Sequence, residues 1–262
     1  MRRFVLYLCG GVLLASGFNT GSAGAAELIS HRAEYRFFVG KSETRAGSSF
    51  EETRTECTAW VQSARMRMHG TNLVPSNQKF EITEFRNGRG MDFLHHLSTG
   101  GVRLIKIEGS ARRDVNGRSG LIRWTSPKGK VLRMPPGTEF ATPFYLRILS
   151  ELRASPGKVI RRTPVFGLIG GTTTGLYYVE ARRAKHDEPL FIQVEGDTHL
   201  LDAPAIDLEV RLYASRTDGT PVYRIRMKLH ENGIFSRAVY TTSRVTITAE
   251  LARITALPSA KC

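Results

Sequence analysis

Beyond its first fourteen residues the chain has no apolar run that approaches the roughly 20 residues a membrane-crossing helix requires. It is also poor in cysteine, with only Cys9, Cys57 and Cys262. No serine or cysteine stands in a strand-to-helix nucleophile elbow. The glycine-rich stretch Gly167 to Gly175 lacks the Gly-Lys-Ser/Thr of a phosphate-binding loop and reads as a flexible hairpin. His95 and His96 are the only adjacent histidines, and successive side chains on a strand point to opposite faces, so the two do not share one metal. Asp197 with His199, and His186 with Asp187, are acid/base pairs in principle, but no nucleophile accompanies them. These absences exclude the motif-defined enzyme classes. The expectation is a non-enzymatic protein with no catalytic residue, no cofactor and no metal.

What the chain does have begins with a leader. Met1-Arg2-Arg3, the apolar run Phe4 to Leu14 and the small residues ending at Ala25-Ala26 follow the charged, apolar and cleavage order of an export signal. Residues 1–25 are therefore read as a signal peptide and residues 26–262 as an exported, soluble protein of the periplasm. Cys9 lies in the apolar run behind Leu8, where a lipoprotein signal needs a small residue, and leaves with the leader. Cys57 and Cys262 remain. In an oxidising compartment two surviving cysteines most often pair; free buried thiols and an intermolecular link are the alternatives. A Cys57 to Cys262 bridge would bring an early turn within about 7 Å, Cα to Cα, of the last residue.

Charge is strongly one-sided. The chain carries a formal +14, and loss of Arg2 and Arg3 leaves +12. Such an excess favours acidic partners, namely an acidic protein or the anionic lipid and lipopolysaccharide of an envelope. Nucleic acid is not expected, since the basic residues are dispersed along strands and the protein is exported. The best candidate surface is the cationic face of Arg224, Arg226 and Lys228. Its plain alternative is the wet side of an antiparallel sheet, and basic residues in register on neighbouring strands would decide between the two.

Apolar residues recur with period two, the mark of half-buried strands. Ala33, Tyr35, Phe37 and Val39 alternate with polar residues, as do Leu208, Val210 and Leu212, and Val245, Ile247, Ala249 and Leu251. In Tyr223 to His230 one face is apolar and the other cationic. Turn dipeptides at Asn87-Gly88, Asn116-Gly117, Lys128-Gly129, Asp218-Gly219 and Asn232-Gly233 separate such runs, predicting a long antiparallel meander. One segment differs. Residues 142–154 place Phe144, Ile148, Leu149 and Leu152 at helical spacing, with Thr142 as N-cap, Pro143 at the first helical position and Ser155-Pro156-Gly157 as the stop. A single amphipathic helix is predicted to cover or plug a curved sheet, dividing an N-terminal half (27–138) from a C-terminal half (157–262). At about 237 mature residues, one large β domain and two small ones are both open.

The order of several short motifs carries a family resemblance. His31-Arg32-Ala33-Glu34-Tyr35, Cys57-Thr58-Ala59-Trp60, Pro136 to Pro143 before the helix, Val165-Phe166-Gly167 and a C-terminal cysteine resemble the EipB family of cell-envelope integrity proteins. The likeness spans essentially the whole mature chain. It implies a single mainly-β domain, an antiparallel β-spiral of two curved half-barrel sheets with one amphipathic helix between them, and a Cys57–Cys262 disulfide. It further implies a role in periplasmic envelope integrity and stress resistance through a protein partner, a tetratricopeptide-repeat protein. A carrier or sensor holding a lipid or lipoprotein in the concave face is the alternative; a cavity of a few hundred Å³ opening near the helix would favour it.

Overall fold

The computed structural model describes residues 27–40, 44–69, 75–99, 102–114, 116–117, 119–169, 173–185 and 193–262. The leader, the pair His186/Asp187 and the tip of the glycine-rich hairpin lie outside the described residues.

The N-terminal half is a meander of eight strands: β1 (His31–Val39), β2 (Arg45–Thr55), β3 (Ala59–Met68), β4 (Ser76–Phe85), β5 (Gly90–Thr99), β6 (Val102–Arg113), β7 (Gly120–Ser126) and β8 (Val131–Met134). A two-residue strand β9 (Glu139–Phe140) leads into helix α1 (Ala141–Ala154). The C-terminal half holds β10 (Val159–Ile169), β11 (Thr173–Arg183), β12 (Glu195–Gly196), a 3₁₀ turn at Thr198–Asp202, β13 (Ala205–Tyr213), β14 (Tyr223–His230), β15 (Phe235–Thr241) and β16 (Thr246–Ala256). Turn glycines 88, 117, 129 and 233 all have positive φ, as the dipeptides containing them require. The period-two reading also holds: Ala33, Tyr35, Phe37, Leu208, Val210, Leu212, Ala249 and Leu251 are buried. Phe38 is buried too, beside the point where the β1–β2 register shifts by one residue of β2.

The mainly-β architecture with one helix is as expected, and the two halves share one continuous curved sheet. Strand order runs β8 to β1 and then β16, β15, β14, β13, β11, β10, β9. The first strand therefore pairs with the last, antiparallel, from His31 opposite Ala256 to Val39 opposite Ile247. Local hairpin signals carry no information on this seam; it forms because both strands present an apolar inner face, Ala33, Tyr35 and Phe37 beside Ala249, Leu251 and Ile254. Next to the seam, Cys57 and Cys262 are joined by a disulfide with Cα atoms 5.5 Å apart.

α1 lies on the concave side, with Phe144, Ile148 and Leu152 fully enclosed and Leu149 nearly so. Its start differs from expectation. The N-cap position is Phe140, with no capping side chain of its own. Glu84 of β4 takes that role across the fold, accepting hydrogen bonds from the Thr142 backbone N–H at 3.0 Å and from Thr142 Oγ1 at 2.9 Å. A carboxyl group suits a helix N-terminus, where free amides and the helix dipole favour acceptors. Thr142 is thus a donor held by a distant strand, which local spacing does not reveal.

Two apolar clusters meet at β10. One joins α1 to β1, β10, β11 and β13–β16; the other fills the N-terminal half with Ile82, Met91, Phe93, Ala111, Ile122 and Met134. Val165 belongs to the first and its neighbour Phe166 to the second. Gly167 follows at φ 144°, and a Cβ there would stand 2.9 Å from the Ala141 Cβ, so the close passage of β10 under the helix start requires glycine.

Candidate functional site

The sheet exposes its outer face to solvent, and a wide hollow lies there, over β1–β4 and the end of β16. It encloses about 820 Å³ and is lined by Arg36, Phe50, Arg65, Arg67 and Lys79, among others. Strand register builds it. Phe50 stands opposite Arg65, Arg65 opposite Lys79, Lys79 opposite His96 and His96 opposite Lys106. Directly opposed residues on one face lie about 5 Å apart, so four basic side chains form a cross-strand row. A second hollow of about 660 Å³ continues past Lys79 and His96.

Acidic residues occupy the adjacent row and neutralise part of this charge. Glu81 pairs with Lys79 at 2.6 Å, Glu108 with Lys106 at 2.5 Å, and Glu52 with Arg32 and Arg54. Arg65 and Arg67 form no ion pair among the described residues, whereas Arg36 stands opposite Glu250 and its charge acts on Glu195 in the same hollow. Phe50 is 39% exposed at the rim, beneath the Arg32 guanidinium. An apolar ring with the unpaired Arg65 opposite it and Arg67 nearby is suited to an acidic macromolecular surface, because guanidinium groups bind carboxylate and phosphate bidentately.

The cationic face read from the sequence sits elsewhere and is wired differently. Arg226 of β14 lies opposite Glu209, Arg224 opposite Arg211 and Lys228 opposite Asp207. Glu209, only 3% exposed, gathers Arg182 at 3.0 Å, Arg211 at 2.6 Å and Arg226 at 3.7 Å. Neighbouring strands do carry basic residues in register here, but they converge on one buried carboxylate. In-register cations without that sink occur on β3–β6. The signal was present in Arg65, Arg67, Lys79 and His96, yet only pairing shows that they align.

The other flagged residues are taken up by the framework. His95 and His96 do face opposite ways: His95 is buried against Phe80 at 4.3 Å between ring centroids, and burial pushes its pKa down to about 4. Asp197 accepts a hydrogen bond from the Ala256 N–H at 2.8 Å and so fastens the end of β16. The visible flanks of the glycine-rich stretch pair as an antiparallel hairpin, Gly167 opposite Gly175.

On the concave side, α1 leaves a cavity of about 120 Å³ against β1–β3, β14 and β15. A lipid carrier would use several hundred Å³. Two acids flank it: the half-buried Glu51 lines it, and the buried Glu84 caps the helix beside it. Burial raises the pKa of each to about 7. Since 4.5 is the ordinary value, the folded state binds these protons more tightly than the unfolded chain does. Their contribution to stability is therefore complete below about pH 4.5 and is lost as pH rises through 7. His31, His95 and His230 have depressed pKa values and act in the opposite sense, contributing above 6.5 and losing that contribution as the solution becomes acidic. The Glu84 part is isolated by difference. Glu84→Gln, which keeps an acceptor for the Thr142 amide, should remove up to about 3 kcal/mol of the change in unfolding free energy between pH 5 and 8. Urea titrations at both pH values measure it, and parallel wild-type and variant profiles would show that Glu84 does not hold a proton in the folded state.

The family model described as EipB-like matches residues 22–258. Among solved structures, a β-barrel-like protein of a domain of unknown function from Brucella abortus superposes with a TM-score of 0.72 at 17% identity, covering 89% of this chain and 100% of that one. No curated protein matches the chain.

Proposed function

From the chain's place in the EipB-like family, to which it belongs, we infer that it is a periplasmic protein that supports the cell envelope by binding a protein partner, without catalysing a reaction. The partner is proposed to be a tetratricopeptide-repeat protein that presents an acidic surface to the outer groove. The observation that supports this reading is the row of Arg65, Lys79 and His96, with Arg67 beside it and the exposed Phe50 opposite Arg65. Central aromatic and arginine residues are the usual energetic anchors of protein interfaces. The concave face, filled by α1 down to about 120 Å³, favours this over the lipid-carrier reading.

Deleting the gene should sensitise cells to detergents and to cell-wall antibiotics, and the wild-type copy should restore resistance. A copy carrying Arg65→Glu and Arg67→Glu should be exported and folded but should capture its partner about tenfold less well, since charge reversal at close pairs costs more than 1.4 kcal/mol. Pull-down with mass spectrometry reads the capture. Full resistance of the deletion strain to both stresses, or unchanged capture by the double variant, would count against the proposal.

A further inference from the structure

The small cavity under α1 is built in an unusual way. Glu51 and Thr53 line it from β2, and the cross-strand neighbours of Glu51 are Ala33 on β1 and Ala64 on β3. Two alanines beside a glutamate leave a gap that α1 does not fill, and aromatic residues close its other sides. Tyr35 stacks on Phe235 at 4.3 Å and donates a hydrogen bond to the Phe235 carbonyl at 3.2 Å. Tyr240 of β15 and Tyr145 of α1 also line the space. Glu51 accepts one hydrogen bond, from Ser49 Oγ at 3.0 Å, and no cation among the described residues reaches it. Glu51 is half-buried, and its carboxyl group is partly desolvated with a single hydroxyl donor against it, which disfavours the ionised form.

A single acid inside a group of aromatic rings is the arrangement that receives organic cations, by charge at one pole and by ring faces around the rest. We propose that this cavity binds a small organic ammonium ion, with Glu51 as its counter-ion and Tyr35, Tyr145 and Tyr240 against its substituents. The volume of about 120 Å³ admits a headgroup-sized cation and no more. This site is on the opposite face of the sheet from the groove and does not depend on the partner proposed there.

Binding is coupled to a proton. The titratable groups facing the cavity are Glu51, His31, Tyr35, Tyr145 and Tyr240. Burial holds His31 towards its neutral form and Tyr35 and Tyr240 in theirs, leaving Glu51, raised to about 7, as the group that ionises when a cation enters. Affinity should therefore rise between pH 6 and 8, with release of most of one proton at pH 6 and almost none well above 7.

Calorimetric titration with tetramethylammonium and ethylammonium chlorides tests the site, using the exported full-length protein in two buffers of different ionisation enthalpy. The expected result is saturable binding with buffer-dependent heat at pH 6, weakened about tenfold or more in Glu51→Gln and retained in Glu84→Gln. Circular dichroism and thermal unfolding establish that both variants are folded, and Glu51→Asp, which keeps the charge but withdraws it by one methylene, should bind with intermediate strength. Absence of binding up to about 50 mM, a free energy weaker than about 2 kcal/mol, or equal binding by wild type and Glu51→Gln would overturn the assignment. Competition by phosphocholine or by N-acetyl-lysine amide distinguishes a lipid headgroup from a protein amine as the source; failure of both to displace the probe also overturns it.

Discussion

Phe166→Ala should lower the unfolding free energy by about 3–5 kcal/mol, the range for deleting a buried phenylalanine ring. Phe166 is enclosed and meets Phe93 edge-on at 5.4 Å between centroids. It lies in the cluster of the N-terminal half although it belongs to β10, a strand of the C-terminal half. Val165, one residue earlier, faces the cluster around α1. The ring therefore ties two apolar clusters together at a strand that serves both. Gly167 prevents local collapse from filling the hole, because the backbone there is already pressed against Ala141. Beyond the loss of stability, urea unfolding should separate into two steps, the N-terminal half opening first. The measurement is denaturation followed by the fluorescence of Trp60 and Trp124, both in that half, beside far-ultraviolet dichroism. A loss under about 1 kcal/mol, with coincident single transitions, would show that the two clusters are not coupled through this residue.

The second large effect belongs to the disulfide. Cys57→Ser should cost about 2–5 kcal/mol, and for a chain of this length each kcal/mol moves the midpoint by roughly 2–4 °C. The bridge spans a sequence separation of 205, for which chain-entropy reasoning sets an upper value near 5 kcal/mol. It fastens a vulnerable place. β1 begins at His31 opposite the end of β16, and His31 also stands opposite Thr53 near the end of β2. The tail after β16 crosses the start of β1 and reaches the β2–β3 turn, where Cys57 holds it; on the way the Leu257 N–H bonds the Ser30 carbonyl at 3.0 Å. Without the bridge the last residues can peel away and expose the seam. Thermal scans of wild type with and without reductant, beside Cys57→Ser and Cys262→Ser, check this. The two single variants and the reduced wild type should coincide, and free thiols in native wild-type protein would sink the account.

Much of the architecture was legible along the chain. Alternation identified the inner residues of β1, β13 and β14, the glycine turns marked the hairpins, and the spacing of Phe144, Ile148, Leu149 and Leu152 located the helix and its buried side. Such signals survive because they arise from neighbours in sequence, two residues apart on a strand or three to four on a helix. The capping of α1 is not legible for the same reason: Thr142 has the spacing of a cap, whereas its partner Glu84 is 58 residues away. The candidate surface shifted on similar grounds. Arg224, Arg226 and Lys228 formed the clearest cationic alternation, but Glu209 on the neighbouring strand draws Arg226 into an ion-pair cluster. Arg65, Lys79 and His96 are scattered through three strands and become a row only when the register aligns them.

The amino-acid sequence alone determined the class of the protein: mainly β, one helix, a strongly basic charge and the two cysteines Cys57 and Cys262. It determined these because strand alternation, turn chemistry, composition and charge are local or additive properties. Tertiary structure alone decided that β1 closes against β16, that Phe166 crosses from one cluster to the other, that Glu51 lies among tyrosines, and that the arginines of β3 remain unneutralised. Each of these depends on which distant segments pair, and pairing is selected by the sum of many burial and register terms that no single stretch of the chain contains.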